Sequence, residues 1–101
     1  MIWVDLDPVI GHEQSGRRPV IVLSPGLYNA ASGLCVVCPV TSRVRGYPFE
    51  VPVPAASAVS GVVLADQVRS LSWERRYIRP IGRSVSLLDD VRDRVGALLG
   101  I

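Results

Sequence analysis

His12 is the chain's single histidine, and Glu13 follows it directly. An imidazole titrating near ~6.5 is the natural proton carrier at neutral pH, and a neighbouring carboxylate can do the same work. A histidine standing in solvent on a loop needs no function, so both readings stay open. All eleven basic residues are arginine. Guanidinium forks suit phosphate oxygens and base edges, but a base-composition bias in the gene would give the same excess. Placement says more than number. Gln67 to Ser86 carries Arg69, Arg75, Arg76, Arg79 and Arg83 against Glu74 alone, while the residues on either side are slightly acidic in sum. Arg43, Arg45 and Tyr47 form a second cluster, and Trp73 and Tyr77 stand among the arginines of the first. Arginine interleaved with aromatic rings suits single-stranded RNA, whose bases stack on rings while its phosphates meet charge. For Trp73 a place in the core or in a dimer contact is the simpler account.

Asp5, Asp7, Glu13 and Asp66 are scattered, with no acidic cluster at the spacing that two-metal chemistry needs. Cys35 and Cys38 form C-V-V-C, which invites a metal or redox reading. Their flanks, Leu34 to Val40, read as a buried strand, in which residues three apart point to opposite faces. Two thiols so placed cannot hold one ion, and there is no second pair. Buried free thiols and no cofactor are expected.

The elements that must position these residues follow from patterning. A chain of 101 residues allows one domain, 1–101, with one core. It is 49% hydrophobic and rich in valine, which suits a packed β-rich core. The net charge of +2 does not by itself identify a nucleic-acid binder. No run of eighteen apolar residues occurs, and Met1 to Asp7 carries neither a basic nor an apolar leader, so a cytoplasmic protein away from membranes is expected. Ile2 to Leu6 reads as a strand that Asp7-Pro8 ends, and Gly11 to Gly16 as a polar loop. Arg18 to Leu23 is a second strand, followed by Ser24-Pro25 as an N-cap opening one helical turn to about Asn29. Leu34 to Val40, apolar throughout, should be a central strand. Thr41 to Pro48 is a loop, and Phe49 to Val53 a short edge strand between prolines. Pro54 to Ser60 connects to a strand at Gly61 to Ala65. Asp66 to Trp73 looks turn-rich, and Tyr77 to Ile81 forms a last strand broken by Pro80. Ser86 is the expected N-cap of a closing helix to Leu99, with Leu88, Val91, Val95 and Leu98 at helical spacing and Gly100 at its end.

Motif order is the most informative feature. Gly11 to Pro19 (G-H-E-Q-S-G-R-R-P) resembles the G-x-E-Q-x-G-x-R-P element of the MazF and PemK (Kid) toxins. W-V-D-L-D-P (Trp3 to Pro8), V-L-S-P (Val22 to Pro25), C-P-V-T-S (Cys38 to Ser42), G-Y-P-F-E (Gly46 to Glu50) and G-V-V-L-A-D-Q-V-R-S (Gly61 to Ser70) follow in the family's order. The resemblance covers nearly the whole chain. It departs from the family at the few residues that usually precede W-V-D, at Arg17, where some members have histidine, and at Leu64, where the Kid branch has an arginine assigned to catalysis.

The resemblance implies a β-rich α+β fold, an SH3-like, partly open barrel with a C-terminal helix. It further implies the toxin of a type II toxin–antitoxin system, a metal-independent endoribonuclease that cuts single-stranded mRNA as a homodimer and is restrained by a cognate acidic, MazE-like antitoxin. Arg18 matches the family's catalytic arginine. A guanidinium stays protonated in proteins, so its first role would be to stabilise negative charge. Thr41 matches the catalytic threonine at the end of the third strand. His12 is implicated in the Kid branch and Glu13 in the MazF branch, and spacing does not choose between them as the general base. Gln14, Arg17, Arg43, Arg45, Asp66 and Arg69 are the expected RNA contacts, Asp66 in a structural or RNA-contacting role. The alternative is a non-catalytic SH3-like barrel that binds RNA or a peptide, and the joint presence of Arg18 and Thr41 argues against it.

Overall fold

The computed structural model describes residues 1–6 and 16–101. In chain order its elements are β1 (Ile2–Asp5), β2 (Arg17–Val22), α1 (Gly26–Ser32), β3 (Leu34–Thr41), β4 (Glu50–Pro52), β5 (Val62–Leu64), a 3-10 turn (Ala65–Gln67), β6 (Arg69–Ser72), α2 (Trp73–Arg76), β7 (Tyr77–Pro80) and α3 (Val85–Leu99). The strand order is β4-β5-β3-β2-β1-β7, every pairing is antiparallel, and β6 is a further partner of β3. The sheet does not close: β4 and β7 end its path and β6 pairs on one side only, and the fold is the β-rich α+β arrangement with a C-terminal helix that the sequence led us to expect. Among the described residues no helix is long and apolar enough to cross a membrane.

β3 organises this arrangement. Its first half pairs with β6 (Cys35 with Leu71, Val37 with Arg69) and its second half with β5 (Val40 with Val63, Thr41 with Val62). β2 runs along the opposite edge, with Val20 opposite Pro39 and Val22 opposite Val37. Strand side chains alternate between faces, and the two faces of β3 feed two separate cores. Cys35 and Val37 join Val4, Leu6, Val20 and Leu71. Cys38 and Val40 join Ile21, Leu23, Val51, Val53, Val63 and Ala65, and this second core is covered by α3. The thiols therefore do lie on opposite faces, both buried and unpaired. Burial pushes the Cys35 thiol up, and burial together with the Asp66 carboxylate pushes Cys38 up to about 12. Both remain protonated at neutral pH.

Four sequence expectations are corrected. The segment 66–73 is not simply turns: Arg69–Ser72 is strand β6. Its R-S-L-S pattern buries only Leu71, too little to register as an apolar alternation. α1 is longer than one turn, and Ser24 does not cap it. The Ser24 hydroxyl instead accepts the Val36 N–H at 2.8 Å and donates to Asn29 Oδ1 at 2.6 Å, which ties α1 to β3. The Trp73 indole completes this junction by donating to the Asn29 carbonyl at 2.8 Å, so Trp73 is a packing residue as its simpler reading held. Pro80 does not break the last strand, because Ile2 to Pro80 is the terminal pair at an edge where proline needs no partner.

The fourth correction concerns α3. Its N-cap is Ser84, whose Oγ accepts the Leu87 N–H at 3.3 Å, and the buried stripe is Leu87, Val91 and Val95 rather than one through Leu88 and Leu98. Spacing of four residues keeps that stripe on one helix face. Each of these side chains contributes about 1.5–3 kcal/mol by leaving water. Ser84→Ala should cost about 1 kcal/mol in urea unfolding. Ser86→Ala, one position inside the helix, should change stability by less than about half of that. Equal losses from the two would show the cap to be misassigned.

Candidate active site

The described catalytic candidates sit where strand registers bring them together. Arg18 lies on β2, opposite Val4 of β1. Continuing the β2–β3 register of Val20 with Pro39 by two residues brings Arg18 level with Thr41. Both side chains line one groove of about 610 Å³, together with Ser42, Arg43, Arg45, Tyr47, Glu50, Leu64, Asp66 and Gln67. β2 and β3 supply the back wall, β5 and the 3-10 turn supply Leu64, Asp66 and Gln67, and the 42–48 loop supplies the lip. Arg18 also borders a smaller recess of about 200 Å³, where Arg17 and Trp3 are found.

Thr41 is buried, 5% exposed, at the last position of β3. Its Oγ accepts the backbone N–H of Arg43 at 3.1 Å, so the hydroxyl proton remains for another acceptor. Arg43, Arg45 and Tyr47 are exposed on the loop that follows. Beyond it stands Glu50, only 9% exposed, a carboxylate where the neighbouring sequence is apolar. The Arg45 N–H donates to both of its oxygens, at 3.2 and 3.0 Å, and the Gly46 N–H donates to one at 2.8 Å. From α3, Arg94 donates to the Pro48 carbonyl at the far end of the loop.

Among the sequence-predicted site residues, Arg18, Thr41, Arg43, Arg45 and Asp66 line the groove. Arg17 borders the adjoining recess instead. Arg69, on β6 opposite Val37, lines neither. His12, Glu13 and Gln14 lie outside the described residues. The basic stretch 67–86 is partly consumed internally: Arg76 donates to the Asp5 carbonyl at 3.1 Å, and Arg79 stacks 5.6 Å over the Trp3 ring. Sequence reasoning missed Glu50, Ser42 and Gln67. An acid opening a strand flanked by prolines was the one available signal for Glu50.

With the geometry in hand, the comparisons decide the family. The profile of PemK-like, MazF-like toxins of type II toxin–antitoxin systems matches residues 1–99. The chain belongs to this family. It is 51% identical over 101 residues to the endoribonuclease toxin MazF of Escherichia coli K12, covering 99% of this chain and 90% of that relative. The crystal structure of MazF from Deinococcus radiodurans matches with a TM-score of 0.91 at 52% identity, over 99% of this chain and 92% of that one. A chain of the MazE–MazF crystal structure from the same organism matches at 0.84 with 46% identity, covering 99% and 90%. The stretches C-P-V-T and G-V-V-L-A-D lie at the back of the groove: one ends in Thr41, and the other runs beside it as β5.

Gly61 opens that second motif and shows how tightly the strand end is built. A Cβ at this position would lie 2.0 Å from the Thr41 carbonyl oxygen, and its φ of +120° is one that side-chain-bearing residues avoid. Gly61→Ala should therefore lose about 2–4 kcal/mol, combining overpacking with backbone strain. For a domain of this size the melting temperature should fall by about 10–20 °C. A melting temperature within a few degrees of the parent would mean that β5 does not press on Thr41.

Proposed function

We propose that the chain is an endoribonuclease toxin that cuts single-stranded mRNA without a metal, and that the Arg18–Thr41 groove is its active site. One observation carries the proposal: an arginine borne on a strand and a strand-end hydroxyl line a single groove whose lip bears two more arginines and a tyrosine. A strand of RNA entering it would meet charge at its phosphates and a ring for a base. In the reaction the substrate's 2′-OH loses its proton and attacks the adjacent phosphorus in line. The bond from phosphorus to the 5′-oxygen breaks, that oxygen gains a proton, and the products are a 2′,3′-cyclic phosphate and a 5′-OH. Arg18 would hold two non-bridging oxygens as negative charge builds on them, and Thr41 would donate its hydroxyl proton to the same phosphate. His12 and Glu13 are the candidates for moving the 2′-OH proton. Gln14, Arg17 and Arg69 remain proposed RNA contacts, outside or beside the groove's described lining.

The test combines substrate and protein. EDTA should not inhibit, and an oligonucleotide carrying 2′-deoxyribose at the cut site should resist. Arg18→Ala should lower kcat at least about 10²–10³-fold while the protein stays folded. Thr41→Ala should fall less if it orients the phosphate only. His12→Ala separates the two bases, since a small loss moves proton transfer to Glu13. Undiminished cutting of the 2′-deoxy substrate would refute the mechanism whatever the mutants do.

We also propose that the chain acts in the cytoplasm as a homodimer held off by an acidic, MazE-like antitoxin. MazE–MazF crystal structures of relatives support the partner, and exposed apolar side chains such as Leu27, Tyr28 and Leu99 support a surface for a second copy. An acidic disordered segment would complement the groove's arginines. Antitoxin binding should weaken steeply with salt and compete with RNA, and sedimentation at micromolar concentration should give a dimer. A monomer there, or full cleavage under saturating antitoxin, would overturn the respective part.

A further inference from the structure

A carboxylate in a groove built for phosphate is a liability, because it repels the ligand and its burial costs energy unless its charge is satisfied. Glu50 is such a group. Its three N–H contacts all come from the backbone of the loop that carries Arg43, Arg45 and Tyr47. The geometry points to Glu50 as a positioning residue that fixes this loop before RNA arrives, so that the two guanidiniums and the ring stand ready in one array. The inference rests on the RNA-cleavage reading for its consequence, but not for its structural half.

The loop between β3 and β4 is held at several points. Thr41 Oγ takes the Arg43 N–H at its start, Glu50 takes Arg45 and Gly46 at its centre, and Arg94 takes the Pro48 carbonyl at its end. The Glu50 N–H also donates to the Tyr47 carbonyl at 3.1 Å, so the acid grips the loop through both its side chain and its backbone. Gly46, at φ +80°, turns its N–H toward the carboxylate in a conformation that side-chain-bearing residues rarely adopt. Of these contacts the Glu50 pair holds the centre of the loop and is charge-assisted, and such bonds are about twice as strong as neutral ones. Without it the central residues would sample many conformations, and RNA binding would have to order them. That cost falls on the ground state and the transition state alike, which is the signature of uniform binding.

Glu50→Gln is the decisive variant, since it keeps size and packing. Its amide offers one carbonyl acceptor and sets an NH₂ against the Arg45 N–H, which bonds to both oxygens of the carboxylate. It should raise KM, and the Kd for an uncleavable RNA with 2′-deoxyribose at the cut site, by about tenfold. Its kcat should stay within about threefold of the parent. Trypsin should cut after Arg43 and Arg45 several times faster relative to Arg83, with the melting temperature little changed. Glu50→Ala should follow the same pattern more strongly; if it does not fold, the glutamine variant decides alone. Parent-like Kd and trypsin pattern in Glu50→Gln would overturn the proposal, and so would a drop in kcat with KM unchanged, which would put Glu50 in the chemical step. Should the parent protein neither cut nor bind RNA, the functional reading falls, and the trypsin pattern alone decides whether Glu50 holds the loop.

Discussion

Burial of β3 on both faces is the constraint on which the rest of the molecule depends. A strand with two apolar faces must be covered twice, and the chain does this with two cores that meet along the strand. One partner strand could not cover all of one edge: β6 serves the first half and β5 the second. That exchange of partners divides one edge of β3 between two strands. It also leaves the C-terminal end of β3 flanked by β5 on one side and the start of β2 on the other. Thr41 occupies that end, and the β2 register carries Arg18 to the same level. The site is therefore a consequence of the packing of a valine-rich strand, and the side chains that would contact phosphate stand on its most rigid neighbours.

The parts of the fold legible in the sequence were those with a strong period. The apolar runs of β2 and β3, the proline-flanked edge strand at Glu50–Pro52 and the helix ending at Gly100 were all readable, because several neighbouring residues mark each of them. What was missed rests on single contacts. β6 buries one leucine, Ser24 chooses Val36 over the end of α1, and Ser84 rather than Ser86 supplies the cap. Two serines that stand two apart before an apolar stripe look alike until the start of the helix is fixed in space. The arginine-rich stretch was similarly ambiguous: its charge count could not tell that Arg76 and Arg79 are turned toward β1. In the site, Arg18, Thr41 and Asp66 were found through motif order and Arg43 and Arg45 as arginines beside Tyr47, whereas Glu50, though inside the G-Y-P-F-E motif, was given no role because its partners are backbone groups, which carry no residue identity to match.

Read as a division of labour, the groove has a wall that cannot move and a lip that is held in place. The wall is strand backbone, fixed by ladders and by the close approach of Gly61 to Thr41. The lip is a loop whose side chains are exposed and whose shape is set by a buried acid behind it. Substitutions at exposed positions in such a lip disturb no core contact, whereas a shift of the wall would move two cores at once. On the function proposed above, Arg18 and Thr41 on the wall would serve the chemistry and the exposed lip residues would serve recognition, which separates what must stay constant from what can vary. The buried carboxylate is the joint between the two: it opens β4, pairs with Leu64 in β5, and reaches back to the loop by hydrogen bonds alone. A hydrophobic side chain in its place would fill the same space but offer the Arg45 and Gly46 amides no acceptor, and the centre of the loop would lose the contacts that set its shape.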